Sequence, residues 1–151
     1  IWGFNYGAKK YDRVRQAYRY SVTACTVIAA IFFFCFQIFP HQIVGIFGTG
    51  SDLYFQFAER YLKIFMFMTF VNGIQPVSSS FFTSIGMAKL GIVMSLTRQV
   101  IFLLPLIIIF PLFMGIDGVM YAGPIADAAA FALAIVFARR ELGKMRSAEI
   151  V

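Results

Sequence analysis

The chain alternates between long apolar runs and short polar breaks. Asp, Glu, Lys and Arg are absent from residues 20–40, 64–88, 99–116 and 118–126. Asp127 interrupts the last run, which then continues uncharged to residue 138. A spanning helix needs about 20 predominantly apolar residues. The pattern therefore predicts four transmembrane helices, at roughly 17–39, 55–85, 92–113 and 117–138. A soluble domain of this size cannot bury four wholly apolar helices, because most of its helices face water on one side.

The breaks carry helix signals. Pro40 ends the first span, and Ser51 or Asp52 can cap the second. The second is longer than the bilayer requires, so its first turns, with Glu59, Arg60 and Lys63, stand at the interface. Gly73 and Pro76 fall near its middle, where Pro76 predicts a kink. Ser78, Ser79 and Ser80 follow and can satisfy the freed carbonyls. Pro105 and Pro111 lie late in the third span. Small residues after Asp127 allow close helix approach in the fourth. Residues 1–16 read as a basic cytoplasmic connector with turn-permissive Gly3, Asn5 and Gly7, and residues 139–151 as a basic tail. Tyr18 and Tyr20 are expected near a headgroup layer, with Arg19 snorkelling to it.

Composition agrees with this reading. Of 151 residues, 60% are hydrophobic, 19 are Phe and only 13% are charged, where a soluble domain carries about a quarter. The net charge of +6 concentrates in residues 1–19, 86–98 and 139–151, which four spans place on one side. The opposite loops carry Asp52 and Asp117. The positive-inside rule then predicts a multi-pass protein with both ends of the segment cytoplasmic. The basic excess is topology, and no nucleic-acid partner is expected. Cys25 and Cys35 read as small buried hydrophobes, and His41 has no second metal ligand nearby, so neither a metal nor a cofactor is expected. The absence of GxSxG, GxxxxGK[ST] and HExxH argues against an enzyme.

Several residues suggest chemistry. Asp127 is an acid deep within an apolar run, about 15 Å along its helix. It is either an ion-coupling or cavity-forming carboxylate or a buried hydrogen-bond partner. Glu59 is a second acid that either faces a cavity or forms an i,i+4 pair with Lys63. Asn72, Gln75 and Ser79 place polar groups in hydrocarbon around the kink, where broken helices line transporter sites, or else bond neighbouring helices. Phe67 and Met68 belong to an adaptable aromatic and sulphur run suited to irregular apolar substrates. Arg98 is expected at an anionic headgroup.

The opening GFNYGAKKYDRVRQA (residues 3–17) and the later IQPVSSSFFTSIGMAK (residues 74–89) resemble the multidrug and toxic compound extrusion transporters. The resemblance rests most directly on the connector residues Gly3, Phe4, Asn5, Tyr6, Gly7 and Ala8. It implies an all-α, two-lobed bundle of twelve helices, of which this chain supplies nine to twelve. The missing partner is then the N-terminal eight helices of the same chain. The lack of an initiator Met likewise predicts a start part-way through a longer protein. The family implies secondary antiport of small organic cations or amphipathic compounds against Na+ or H+, across an inner or plasma membrane and among membrane lipids. An acid in the tenth helix contributes to the cavity of some members, and Glu59 is the acid of the matching stretch. A lipid-linked polysaccharide flippase of the same superfamily and a non-transporting membrane scaffold are the alternatives.

Overall fold

The structure is a computed structural model that describes residues 1–48 and 50–148. Among them it is 88% helical and has no strand. Three helices are long and apolar enough to cross a membrane, at Tyr11–Ile38, Ala88–Met114 and Ile116–Ser147. The second expected span, at 55–85, is instead two shorter helices, neither of which is long enough to count among these three.

Helix α1 (Trp2–Gly7) occupies most of the expected connector. Its glycines disfavour a helix, but packing against the core opposes them: the half-buried Trp2 ring sits 5.7 Å from Phe81 and 6.5 Å from Tyr18. A Cβ on Gly3 would come within 2.5 Å of the Ser84 carbonyl oxygen, so α1 packs directly on the end of α5 (Ile74–Ser84). The turn falls later, at Lys9, whose φ is 57°. Helix α2 (Tyr11–Ile38) then runs 28 residues, about 42 Å, enough to cross the hydrocarbon core. Tyr18 turns into the bundle rather than outward to lipid. It is buried, and its hydroxyl lies 2.7 Å from Ser78 Oγ. Beyond it, Val27, Ile28, Ile31, Phe32 and Phe34 are exposed, as a lipid-facing stripe should be.

Pro40 opens the short helix α3 (Pro40–Phe47), where its missing N–H costs no hydrogen bond. Helix α4 (Asp52–Phe65) starts at Ser51, whose Oγ accepts from the Tyr54 amide. The kinked 30-residue helix expected from the sequence is instead a broken one. It stops at Phe65, passes through a 3₁₀ turn at Thr69–Val71 and resumes as α5. Pro76 is the third residue of α5 rather than the point of a bend. A proline cannot bond the carbonyl four residues earlier and its ring crowds it, so the disruption falls one turn upstream, at Asn72. Close packing holds the break in place, since a Cβ on Gly73 would sit 2.9 Å from the Cys25 carbonyl group of α2.

After a turn at Gly86 (φ 87°), helix α6 (Ala88–Leu96) passes into a π turn (Thr97–Leu103) and then α7 (Leu104–Met114). Pro105 sits just beyond the widened turn and has no amide to return to it. Gly115, at φ 62°, reverses the chain. Helix α8 (Ile116–Ala148) is 33 residues long. It takes in residues 139–148, read from the sequence as a separate tail. Those residues are mostly good helix formers, and Lys144 Nζ donates to Glu141 at 2.9 Å. Ala122, Ala126, Ala130, Ala134 and Ala138, spaced by four, are all buried along one face of α8. That stripe lets neighbouring backbones approach closely.

The core gathers Val14, Tyr18, Phe81, Phe82, Ile85, Met94, Ala134, Ala138 and Met145. The same packing collects the start of α2, the α5–α6 turn and the end of α8 at one end of the bundle. These are the three segments that hold most of the positive charge.

A buried carboxylate at the helix break

Asp127 lies on the inner face of α8, one residue after Ala126, and its side chain is 4% exposed. Each of its carboxylate oxygens receives one donor. Arg98 Nε donates to Oδ1 at 2.5 Å, and Asn72 Nδ2 donates to Oδ2 at 3.0 Å. Arg98 comes from the π turn and Asn72 from the break between α4 and α5. The two irregular stretches of the bundle therefore converge on one acid. Regular helices would bond their own backbones and present fewer adaptable positions.

The electrostatics follow from depth. An isolated carboxylate in hydrocarbon is costly, and such groups pair with one another or face water. Asp127 is neutralised by the guanidinium of Arg98, which is itself 28% exposed. Arg98 is thus not at a lipid headgroup, as its position near a helix start suggested. It is the partner that the sequence left unassigned to Asp127. The two lie 29 residues apart, and no local pattern reports such a contact.

The other polar residues near the break are placed differently. Gln75 Nε2 donates to the Met94 carbonyl at 2.6 Å, and Ser79 Oγ donates to the Gly91 carbonyl at 2.7 Å. Both tie α5 to α6, at a crossing where a Cβ on Gly91 would lie 2.8 Å from the Ser79 carbonyl oxygen. Ser78 Oγ donates to the carbonyl of Ile74 in its own helix. Gln75 and Ser79 therefore act as helix–helix bonds, and Asn72 is the one of the three that reaches Asp127. Phe67 is exposed, with its ring 6.1 Å from Phe33. Met68 is half-buried in the 3₁₀ approach.

Glu59 is a separate site. Its Oε1 lies 2.6 Å from His41 Nδ1, across from α4 to α3, and the two side chains are 26% and 66% exposed. The i,i+4 pair with Lys63 expected from the sequence does not form. The Lys63 backbone carbonyl instead accepts from Gln37 Nε2 at 3.0 Å. Glu59 and Asp127 sit on opposite sides of one packing contact. Phe65, more than a turn after Glu59, rests on Gly123, one turn before Asp127. An apolar cleft of about 350 Å³, lined by Val44, Phe47, Tyr54, Phe57, Tyr61 and their neighbours, opens between α3 and α4. Of the connector residues, Gly3 packs on Ser84, Asn5 Nδ2 donates to the Ile1 carbonyl at 2.9 Å, and Tyr6 meets the Tyr11 ring at 5.6 Å. Gly7 has open space around it.

Broken helices that converge on a buried polar site are common in membrane transporters. The MatE family profile matches residues 1–121, and the chain belongs to the MatE family, whose members are transporters of the wider superfamily rather than enzymes. A solved structure titled "protein A" superposes with a TM-score of 0.84 at 34% identity, covering 91% of this chain and 30% of that one. The chain thus spans under a third of the length of that protein. No curated protein matches the sequence.

Proposed function

We propose that this chain forms helices nine to twelve of a two-lobed antiporter, which expels small organic cations or amphipathic compounds in exchange for Na+ or H+. It sits in the inner or plasma membrane with both ends of the segment cytoplasmic. The N-terminal eight helices of the same protein complete the transport path. The orientation rests on the basic end of the bundle, which the positive-inside rule assigns to the cytoplasm.

One observation carries the reading: a buried carboxylate whose counter-ion is a side chain on an irregular turn. Asp127 holds a single Arg98 Nε–H on one oxygen and an amide on the other. A proton or Na+ arriving at Asp127 competes with that guanidinium. When the ion binds, Arg98 is released from the carboxylate, and the π turn that carries it can move relative to α8. When the ion leaves, the pair re-forms. The exchange couples ion occupancy to the packing of α6 and α7 against α8, because only a ligand that distinguishes two states can shift their populations. Asn72 reports the same event to the α4–α5 break. Glu59 is assigned a second cation-facing acid nearer the opposite end, beside the apolar cleft that suits an amphipathic substrate. Phe67 and Met68, between α4 and the 3₁₀ turn, are assigned to contact with the apolar part of the substrate.

The test uses the full-length protein in inside-out vesicles, with a fluorescent organic cation as cargo and an imposed Na+ or proton gradient. Asp127→Asn keeps size and removes charge. The expected result is an ion-driven rate at least about tenfold lower, equivalent to about 1.4 kcal/mol, with insertion into the membrane unchanged. Efflux at the parent rate with the parent ion dependence removes Asp127 from coupling. Vesicles that move a lipid-linked oligosaccharide but not the cation would assign the flippase reading.

A further inference from the structure

The basic end of the bundle holds a cleft of about 980 Å³ between the first turns of α2 and the last turns of α8. Among the described residues, four arginines line it, Arg15 and Arg19 from α2 and Arg139 and Arg146 from α8, together with the acid Asp12. Asp12 is bonded to Arg15. Among the described residues, Arg19, Arg139 and Arg146 are exposed and form no ion pair.

The arrangement is built by helix periodicity. Arg15 and Arg19 are one turn apart on one face, and Arg139 and Arg146 are two turns apart. Packing α2 against α8 therefore brings like charges together across a concave surface. Their repulsion opposes the packing and is relieved by an anion placed between them. Guanidinium groups are suited to phosphate, because their planar forks give two parallel hydrogen bonds to its oxygens.

The level of the cleft selects the source of the phosphate. Uncharged sequence begins at Tyr20 in α2 and ends at Ala138 in α8. The arginines thus stand just beyond the apolar parts of two spanning helices, the depth of lipid headgroups. Tyr20, 67% exposed at the rim, presents an amphipathic ring of the kind enriched at that level. We propose that the cleft binds the phosphate of an anionic phospholipid taken from the surrounding bilayer, so that a lipid headgroup bridges α2 and α8.

The experiment uses the full-length protein in nanodiscs of phosphatidylcholine containing a minor share of phosphatidylglycerol. Phosphatidylglycerol retained after gentle detergent extraction is counted by mass spectrometry. Arg139→Gln with Arg146→Gln is compared with Lys9→Gln with Lys10→Gln, which removes the same charge outside the cleft. A charge-assisted hydrogen bond to phosphate is worth about tenfold in affinity, so the cleft variant is expected to retain at least about tenfold less, and the control, which loses only diffuse surface attraction, to fall by less. Equal retention in the cleft variant, or an equal fall in the control, overturns the proposal. Arg139→Lys with Arg146→Lys keeps charge and helix packing and covers the case in which the glutamine variant misfolds. It should also lose retention, because an ammonium group lacks the fork, and undiminished retention would reduce the cleft to diffuse attraction. A final arm adds inorganic phosphate. If phosphate alone displaces the lipid and protects the protein in lipid discs without phosphatidylglycerol, the ligand is soluble phosphate and the lipid assignment falls.

Discussion

Two acids, Asp127 and Glu59, meet basic partners in opposite settings. The Asp127 carboxylate is 4% exposed and its arginine 28%, and a third group, Asn72, closes the site. Glu59 is 26% exposed and its histidine 66%, on two short helices at one end of the bundle. The hydrogen bonds are of similar length, 2.5 and 2.6 Å. Geometry alone would rank them together, and burial separates them. An exposed pair trades water for a partner at little net gain. A buried pair leaves an uncompensated charge behind when one partner is lost. The same reasoning makes the buried pair the better place to couple an ion, since the environment there responds strongly to a change of charge.

The largest expected effect tests this difference directly. Arg98→Leu leaves Asp127 buried with only an amide, and a cost of about 3–5 kcal/mol is expected. Thermal unfolding of the full-length protein in detergent measures it. Combining Arg98→Leu with Asp127→Asn removes both charges, and much of the loss should return, because the remaining amide can still bond Asn72. If the double variant is as unstable as the sum of the two singles, the pair is not a coupled unit and the comparison with Glu59 loses its basis.

Asn72→Ala is expected to fall below that. It removes one donor from a charged acceptor while the ion pair stays, a loss of about 1.5–3 kcal/mol. The position sharpens the contrast because Asn72 is on the helix break rather than on a helix. A cost near zero would mean that water or a backbone group replaces the amide and that the break is not tied to the acid.

Much of this was legible in the sequence, and the limits are physical. Charge-free runs located the long helices, because hydrocarbon excludes charges wherever a helix sits. The lone acid in the last run was visible for the same reason. Its partners were not, since Arg98 and Asn72 are 29 and 55 residues away and their approach depends on packing. Gln75 and Ser79 left two fates open in the sequence, because a polar group in a membrane helix faces a wet cavity or bonds a neighbour. Gly91 lets α6 approach closely enough for both to bond its carbonyls. Pro76 marked the right region, but its ring acts on the preceding turn, so the helix broke at Asn72. The connector looked like a turn from its glycines, and the structure makes it a helix that packs the Trp2 ring against Tyr18 and Phe81.

The smallest effect belongs to the exposed pair. His41 sits on α3 and Glu59 on α4, so their bond is one of the contacts that hold α3 beside the spanning bundle. The His41 ring also lies 4.8 Å from Phe55, and that contact persists if Glu59 changes. Glu59→Gln keeps a hydrogen-bonding amide in nearly the same place, and both partners reach water. The expected loss is under about 1 kcal/mol, a shift in unfolding temperature close to measurement error. His41→Ala should cost slightly more, because it also removes the ring contact. Should Glu59→Gln instead destabilise the protein as strongly as Arg98→Leu, then Glu59 is buried by the rest of the full-length transporter. The two acids would then be equivalent, and the assignment of coupling to Asp127 over Glu59 would have to be decided by transport alone.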